Sequence, residues 1–353
     1  MQMIRPFMTR LALVAALVVM NHVAAFAVTP GPSTDGFIVW SNRAADGSEH
    51  LLIARADGSH QRDLTDPAPD TRDADAQISP NGRWIAYQHN QGEAETIRLV
   101  RRDGRDDHLL NVGCVDPCVA VASPTWLSNS RIAFTLVSGP SDPNTGAASS
   151  VALYTARIDG GDVHRLSEPS TEGLYDDVYL RVAPDHRYLT FLRRRIPDET
   201  SALFRVAPDG SQLRQLTPYS LRVGNHDLSS ARHGLTKDLL VFESGRGDNT
   251  NTFLDLGTVP ATCRSLSDCT SKIRWLTDNA ATGRRNANPQ WSPRGTSLVF
   301  TDRASAAENN AEIWTMRYPE SKRRKISTSP NFDYRPAWGV ARHHAHLDDR
   351  AVG

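Results

Sequence analysis

The sequence predicts an all-β fold: a six-bladed β-propeller of four-stranded antiparallel blades, closed by pairing of its N- and C-terminal strands. Three observations carry the prediction. A unit of four short strands recurs along the chain, its copies lie roughly fifty residues apart, and the first and last copies are incomplete in complementary ways.

The first element of the unit is a strand running into a Ser-Pro-x-Gly turn. It is clearest at 75–82 (DAQISPNG) and 288–295 (NPQWSPRG), looser at 123–128, 178–184 and 227–234, and present again at 335–339 (RPAWG). The second element reads WIAY at 84–87, RIAF at 131–134, YLTF at 188–191, LLVF at 239–242, LVFT at 298–301 and FIVW at 37–40. A third strand ends in Asp-Gly at 51–58, 97–104, 153–160 and 203–210, with weaker copies at 252–256 and 313–316. The fourth element ends at Leu64-Thr65, Leu110-Asn111, Leu166-Ser167, Leu216-Thr217, Leu276-Thr277 and Ile326-Ser327. Turn residues between short apolar runs are the punctuation of an antiparallel meander. The equivalent turn positions Pro80, Ser128, Pro184, Arg232, Pro293 and Val340 stand 48, 56, 48, 61 and 47 residues apart.

The stagger of the ends predicts how the ring closes. The N-terminal copy lacks a first element and the C-terminal copy has one to spare. Residues 335–338 therefore pair with 37–40, which removes an edge open to aggregation.

Composition bounds the function. Of 353 residues, 40 are Lys or Arg and 40 are Asp or Glu. A neutral chain has no net pull on nucleic acid or anionic lipid, so neither is expected as a partner. Arg5 and Arg10, an apolar run at 11–20 and Ala25-Phe26-Ala27 form a secretory signal over residues 1–27. With that signal removed, no stable membrane insertion is expected. The propeller occupies 28–340 and a flexible tail 341–353. Four cysteines agree with an exported, periplasmic or secreted protein. Two local disulfides, Cys114–Cys118 and Cys263–Cys269, are favoured over a zinc site of four thiolates, because neither spacing is the usual two residues.

The motifs SPNG before WIAY at 79–87, and ARADG before Asp63-Leu64-Thr65, resemble the repeat of TolB-type six-bladed propellers. The resemblance spans 37–338. It implies the propeller part only, and no counterpart of the α/β domain that precedes the propeller of the Tol-system protein is expected here. Prolyl-peptidase-like enzymes join related propellers to a hydrolase domain, and with about fifteen residues after Trp338 no such domain is expected here. The pattern weakens at 182–184 and 231–234, and an insert at 138–150 is expected to project from the rim.

Aligning the six turns places Asp75, Ser123, Tyr179, Asp227, Asn288 and Arg335 in equivalent positions at one mouth of the channel. Two residues earlier stand Asp73, Val121, Asp177, Asn225, Asn286 and Asp333. Carboxylates and amides around one cation are chemistry for Ca²⁺, a polyol or a basic peptide tail, and a water-filled funnel without a role is the bland alternative. His226 beside Asp227 raises acid–base work. Gly-x-Ser-x-Gly, His-Glu-x-x-His, phosphate-loop and dinucleotide signatures are missing. The Asp66–Asp75 cluster lacks the glycine and glutamate of a calcium loop. Arg246-Gly247-Asp248 is too short to count as an adhesion motif. The basic runs at 193–195 and 322–325 read as exposed faces, and the histidines at 343–346 as a disordered end.

The expected function is therefore an exported, monomeric, non-enzymatic propeller. It binds an envelope or extracellular protein, or a small ligand, at its channel mouth, with no cofactor beyond a possible Ca²⁺ there. The alternative is a hydrolase or lyase acting on glycan or peptide through the mouth carboxylates.

Overall fold

The computed structural model describes residues 34–66, 69–92, 94–114, 118–139, 150–167, 174–248, 250, 252–319 and 322–340. The expected signal, most of the 138–150 insert and the tail histidines lie outside them, as does the side chain of Cys118.

The strands are short and follow the repeat. They begin with β1 (Phe37–Arg43), β2 (Glu49–Arg55) and β3 (Arg62–Asp63). Next come β4 (Thr71–Ile78), β5 (Trp84–Gln91), β6 (Ala94–Arg101) and β7 (His108–Leu109), then β8 (Cys118–Trp126), β9 (Arg131–Ser138), β10 (Ser150–Arg157) and β11 (His164–Arg165). They continue as β12 (Tyr175–Val182), β13 (Leu189–Arg195), β14 (Ser201–Val206) and β15 (Arg214–Gln215). The last are β16 (Val223–Leu228), β17 (Leu239–Ser244), β18 (Asp255–Pro260), β19 (Arg274–Trp275), β20 (Arg285–Trp291), β21 (Ser297–Arg303), β22 (Glu312–Arg317), β23 (Arg323–Lys325) and β24 (Phe332–Gly339).

Three antiparallel sheets of four strands each hold β12–β15, β16–β19 and β20–β23. The other twelve strands form one continuous sheet. Its parallel contacts are the single pairs Glu49↔Arg72 and Glu95↔Ala120. At these it divides into three antiparallel meanders: β24-β1-β2-β3, β4–β7 and β8–β11. Strand β1 pairs with β24 from Phe37↔Gly339 to Arg43↔Phe332, so residues from the two ends of the described chain share one sheet.

Three repeated side-chain devices explain why these residues form these elements. A large aromatic sits at the same place on the second strand of every unit. Trp40, Tyr87, Phe134, Phe191, Phe242 and Phe300 are each at most 3% exposed, and burying each is worth roughly 2–3 kcal/mol. They pack in clusters that each draw on two consecutive units, and one of these joins Val299 and Ile313 to Ile38 and Trp40.

The Leu-Thr element has a hydrogen-bonding reason. The hydroxyls of Thr65, Ser167, Thr217, Thr277 and Ser327 accept from the backbone N–H of Leu51, Leu153, Leu203, Leu256 and Ile313 on the third strand. A fourth strand of two or three residues is too short to satisfy that N–H by ladder bonding, and the hydroxyl completes it. Ser79 and Ser292 likewise accept from Trp84 and Ser297 across the Ser-Pro-x-Gly turn, whose Gly82 and Gly295 sit at φ 65° and 66°.

Unit β16–β19 departs from the pattern. Its third strand is Asp255–Pro260 and not the expected 252–256. It leads into a loop stapled by the Cys263–Cys269 disulfide, over which Leu266–Ser271 forms a one-turn helix capped by Ser265.

Candidate functional site

The first strand of each unit carries a bulge. The register shifts lie between Ala74/Gln77, Ala122/Thr125, Val178/Arg181, Val223/His226 and Ala287/Gln290, and opposite Val39/Ser41 in β24. Five bulges hold a non-glycine residue in the left-handed region: Asp75, Ser123, Tyr179, Asn288 and Arg335, at φ 50–55°. That conformation costs roughly 1–2 kcal/mol per residue, and bulges re-aim the side chain they carry.

Register fixes which residues are equivalent. Gln77, Thr125, Arg181, Asp227, Gln290 and Ala337 lie opposite Ala86, Ala133, Thr190, Val241, Val299 and Val39. Two residues earlier the ring is Asp75, Ser123, Tyr179, Asn225, Asn288 and Arg335. Asn225, not Asp227, is therefore the equivalent of Asp75, and Val223 takes the place expected for Asn225. The cause is the turn of this unit. Ser229 N–H reaches Leu239 O, whereas Ser79 N–H reaches Trp84 O, so the turn is five residues longer and alignment on Gly234 slips by two.

All six ring residues border one cavity bounded by β4, β8, β12, β16, β20 and β24. Its volume is about 20 Å³ at the scale of a water-sized sphere, enough for about one or two waters. Arg335 Nη1 meets Asp75 Oδ2 at 2.8 Å across it. Asp75 is the main reason that the guanidinium of Arg335 is held firmly charged. Burial, reinforced by Asp75, pushes the Tyr179 phenol up to about 12. A mostly apolar cavity of about 220 Å³ lies off to one side, between β6 and β8.

The outer row has a different role. Asp73, Asp177, Asn286 and Asp333 are buried, and each bonds the residue directly opposite on the second strand. Asp73 Oδ1 meets His89 Nδ1 at 2.7 Å, and both oxygens of Asp177 accept from Arg193 at 2.7 Å. Asn286 Nδ2 donates to Asp302 Oδ1 at 2.6 Å, and Asp333 Oδ1 accepts from Asn42 at 2.6 Å and Trp40 Nε1 at 3.0 Å. Burial raises the pKa of Asp73, Asp177 and Asp333, and these partners pull it back. None of the four borders the cavity. Asp227 lies deeper, accepting from Arg181 Nε at 3.1 Å and from the Trp291 backbone at 2.8 Å.

A set of residues that the turn alignment left out supports the ring. In three units the residue after the buried aromatic reaches into the next unit and accepts the backbone N–H of its bulge residue. Gln88 takes Ser123 (3.4 Å), Thr301 takes Arg335 (3.1 Å), and Glu243 takes Asn288. Glu243 also accepts from the Asn225 backbone, and burial raises its pKa. The signal was readable as a polar residue directly after Tyr87, Phe242 and Phe300. Glu95 adds a further carboxyl near Asp75, raised by burial and by that neighbour's charge. Among the described residues no three His, Cys, Asp or Glu side chains converge to hold a metal. The Arg246-Gly247-Asp248 tripeptide is tied down: Arg246 pairs with Asp255 at 2.9 Å and donates to Thr277 O.

No family model matches the chain, and no curated protein sequence does. Solved structures do. TolB from Acinetobacter baumannii superposes with a TM-score of 0.63 at 14% identity, over 88% of this chain and 68% of that one. A TolB assignment from Agrobacterium tumefaciens gives 0.54 at 15%, over 85% and 90%. A chain of a nidogen/laminin complex gives 0.56 at 11%, over 86% and 98%. At these identities the likeness is one of fold. The chain is a β-propeller, built from four-stranded antiparallel sheets.

Proposed function

We propose that this chain is a closed six-bladed propeller of the TolB kind that works outside the cytoplasm as a monomeric, non-enzymatic binder of an envelope or extracellular protein. Support for closure comes from the β1–β24 ladder and from contacts of β24 with both β4 and β20. Support for export comes from the signal-like sequence at 1–27 and the Cys263–Cys269 disulfide, which suits an oxidising compartment. Among the described residues no helix is long and apolar enough to cross a membrane.

The observation that carries the binding reading is the ring itself. Six equivalent, convergent positions hold five kinds of side chain, a carboxylate, a hydroxyl, a phenol, two amides and a guanidinium, around one opening. Small-molecule pockets run to roughly 300–1,000 Å³, and the cavity of about 20 Å³ behind this ring is far smaller. A protein partner reading the rim suits that geometry better than a small ligand held inside it. The hydrolase or lyase reading needs free carboxylates at the mouth, whereas Asp75 is paired there with Arg335, and Asp73, Asp177 and Asp333 are engaged in cross-strand pairs away from it.

The test is affinity capture from envelope and extracellular fractions with wild type and with Asp75→Ala, Asn225→Ala and Asn288→Ala combined, each with Ca²⁺ and with chelator. A partner lost only from the ring variant, with its melting temperature lowered by no more than the few degrees that loss of the Asp75–Arg335 pair predicts, supports the reading. An unchanged partner set refutes the mouth as the site.

A further inference from the structure

His226 is the polar exception in a ring the fold otherwise keeps apolar. One residue past the mouth ring, register places Ala76, Pro124, Leu180, Pro289 and Pro336 in the other units. His226 is 1% exposed, it borders the cavity, and both its ring nitrogens lack a hydrogen-bond partner. A neutral imidazole carries one donor and one acceptor, and leaving both buried and unpaired is costly. Buried polar groups of this kind are ordinarily completed by ordered water. The cavity of about 20 Å³ has room for water and not for an organic ligand.

We propose that this cavity is a binding site for water held by the ring nitrogens of His226, and that this water hands a solvent proton to the ring on acidification. The proton joins the unprotonated ring nitrogen, giving an imidazolium inside the ring of first strands. The groups around it decide the consequence. On its own strand Asp227 is turned to Arg181 and the Trp291 backbone. Arg181 and Tyr179 of β12, Arg335 of β24 and Asp75 of β4 border the same cavity, and Glu243 of β17 accepts from the backbone of the neighbouring Asn225. Burial, and after it the charge of Arg181, holds the His226 pKa well below the ordinary histidine value. The unfolded chain therefore binds this proton at higher pH than the folded one. Stability is intact above about pH 6.5 and falls by up to tenfold in the folding constant per pH unit below it. Raised carboxylates such as Glu243 act with the opposite sign, since the folded state protonates them first, so variants must be compared at the same pH.

The experiment measures folding constants of the full chain at pH 7.5 and 5.5 for wild type, His226→Leu and His226→Gln. Leucine copies the residue at 180, and glutamine keeps a donor and an acceptor without a basic nitrogen. Acidification is expected to cost wild type about tenfold more than either variant, and parallel profiles overturn the proton claim. Two measurements on wild type stand if the variants do not fold. A nuclear magnetic resonance titration of the His226 ring is expected to show a midpoint below about 6.5, and a midpoint at or above it overturns the claim. A high-resolution crystal structure is expected to show water within about 3.5 Å of a ring nitrogen, and an ordered dry ring overturns the water site.

Discussion

Neutralising either partner of the Arg335–Asp75 pair tests whether charge holds the mouth ring together. At 2.8 Å and an effective dielectric constant near 20, the gross attraction is about 6 kcal/mol, and dehydration of both groups cancels most of it. The side chains are 14% (Asp75) and 31% (Arg335) exposed. That places the pair between surface pairs worth about 0.2–1 kcal/mol and buried ones whose breaking costs about 3–5 kcal/mol. The two substitutions are not symmetric. Asp75→Asn leaves Arg335 with Glu243 and Tyr179 nearby, whereas Arg335→Gln leaves Asp75, Glu95 and Glu243 without a shared cation. The expected losses are about 1–2 kcal/mol for Asp75→Asn and about 2–3 kcal/mol for Arg335→Gln, with a coupling of about 1–2 kcal/mol in the double variant. For a domain of about 300 residues, 2 kcal/mol lowers the melting temperature by about 3 °C. Thermal unfolding followed by circular dichroism at pH 7 reads all four proteins. Additivity within about 0.5 kcal/mol, or Arg335→Gln milder than Asp75→Asn, refutes the reasoning.

Three shorter predictions address the repeat. Thr217→Val orphans the buried Leu203 N–H, now bonded at 2.9 Å. Chemical denaturation is expected to show a loss of about 1–2 kcal/mol, with Thr217→Ser close to wild type. Gly82→Ala meets both φ 65° and the Val340 carbonyl oxygen 2.4 Å from the new Cβ. A loss above about 2 kcal/mol is expected, well beyond that of Gly47→Ala, where nothing lies within 4 Å. Cys263→Ser opens a loop with a sequence separation of 6, and unfolding under non-reducing conditions is expected to show a loss of about 2 kcal/mol; a larger drop would mean that the staple braces the sheet beside it.

The repeat was legible because each of its signals answers a local physical demand. An aromatic fills the space between consecutive sheets, a threonine hydroxyl completes a backbone N–H, and glycine takes a positive φ in the tight turn. The pairing of 37–40 with 335–338 followed from counting incomplete units. The site was legible only in part, and the two kinds of miss have different causes. Asp227 was misplaced because a longer turn in one unit shifted an alignment anchored on glycine. Asp73, Asp177 and Asp333 were grouped with the mouth because sequence position says nothing of side-chain direction. The bulge turns the residues two places later towards the shared cavity, while these three stay on the cross-strand face. The polar residue after the aromatic went unread because its partner lies in the following unit, about 35 residues away for Gln88.

The way the ring is supported explains why its chemistry is free to vary. A left-handed non-glycine residue survives only where its surroundings over-determine it. At Ser123, Asn288 and Arg335 that support reaches the backbone N–H, from Gln88, Glu243 and Thr301 of the preceding unit. Because the side chain of the ring residue takes no part in holding its own backbone, serine, asparagine and arginine occupy equivalent places with the same φ near 50°. In the outer row the side chain is itself the structural bond, and three of its six places hold aspartate. Specificity can change at the first set without loss of the fold and cannot at the second. That is the physical reason to look for function at Asp75, Ser123, Tyr179, Asn225, Asn288 and Arg335, and not among the acids two residues before them.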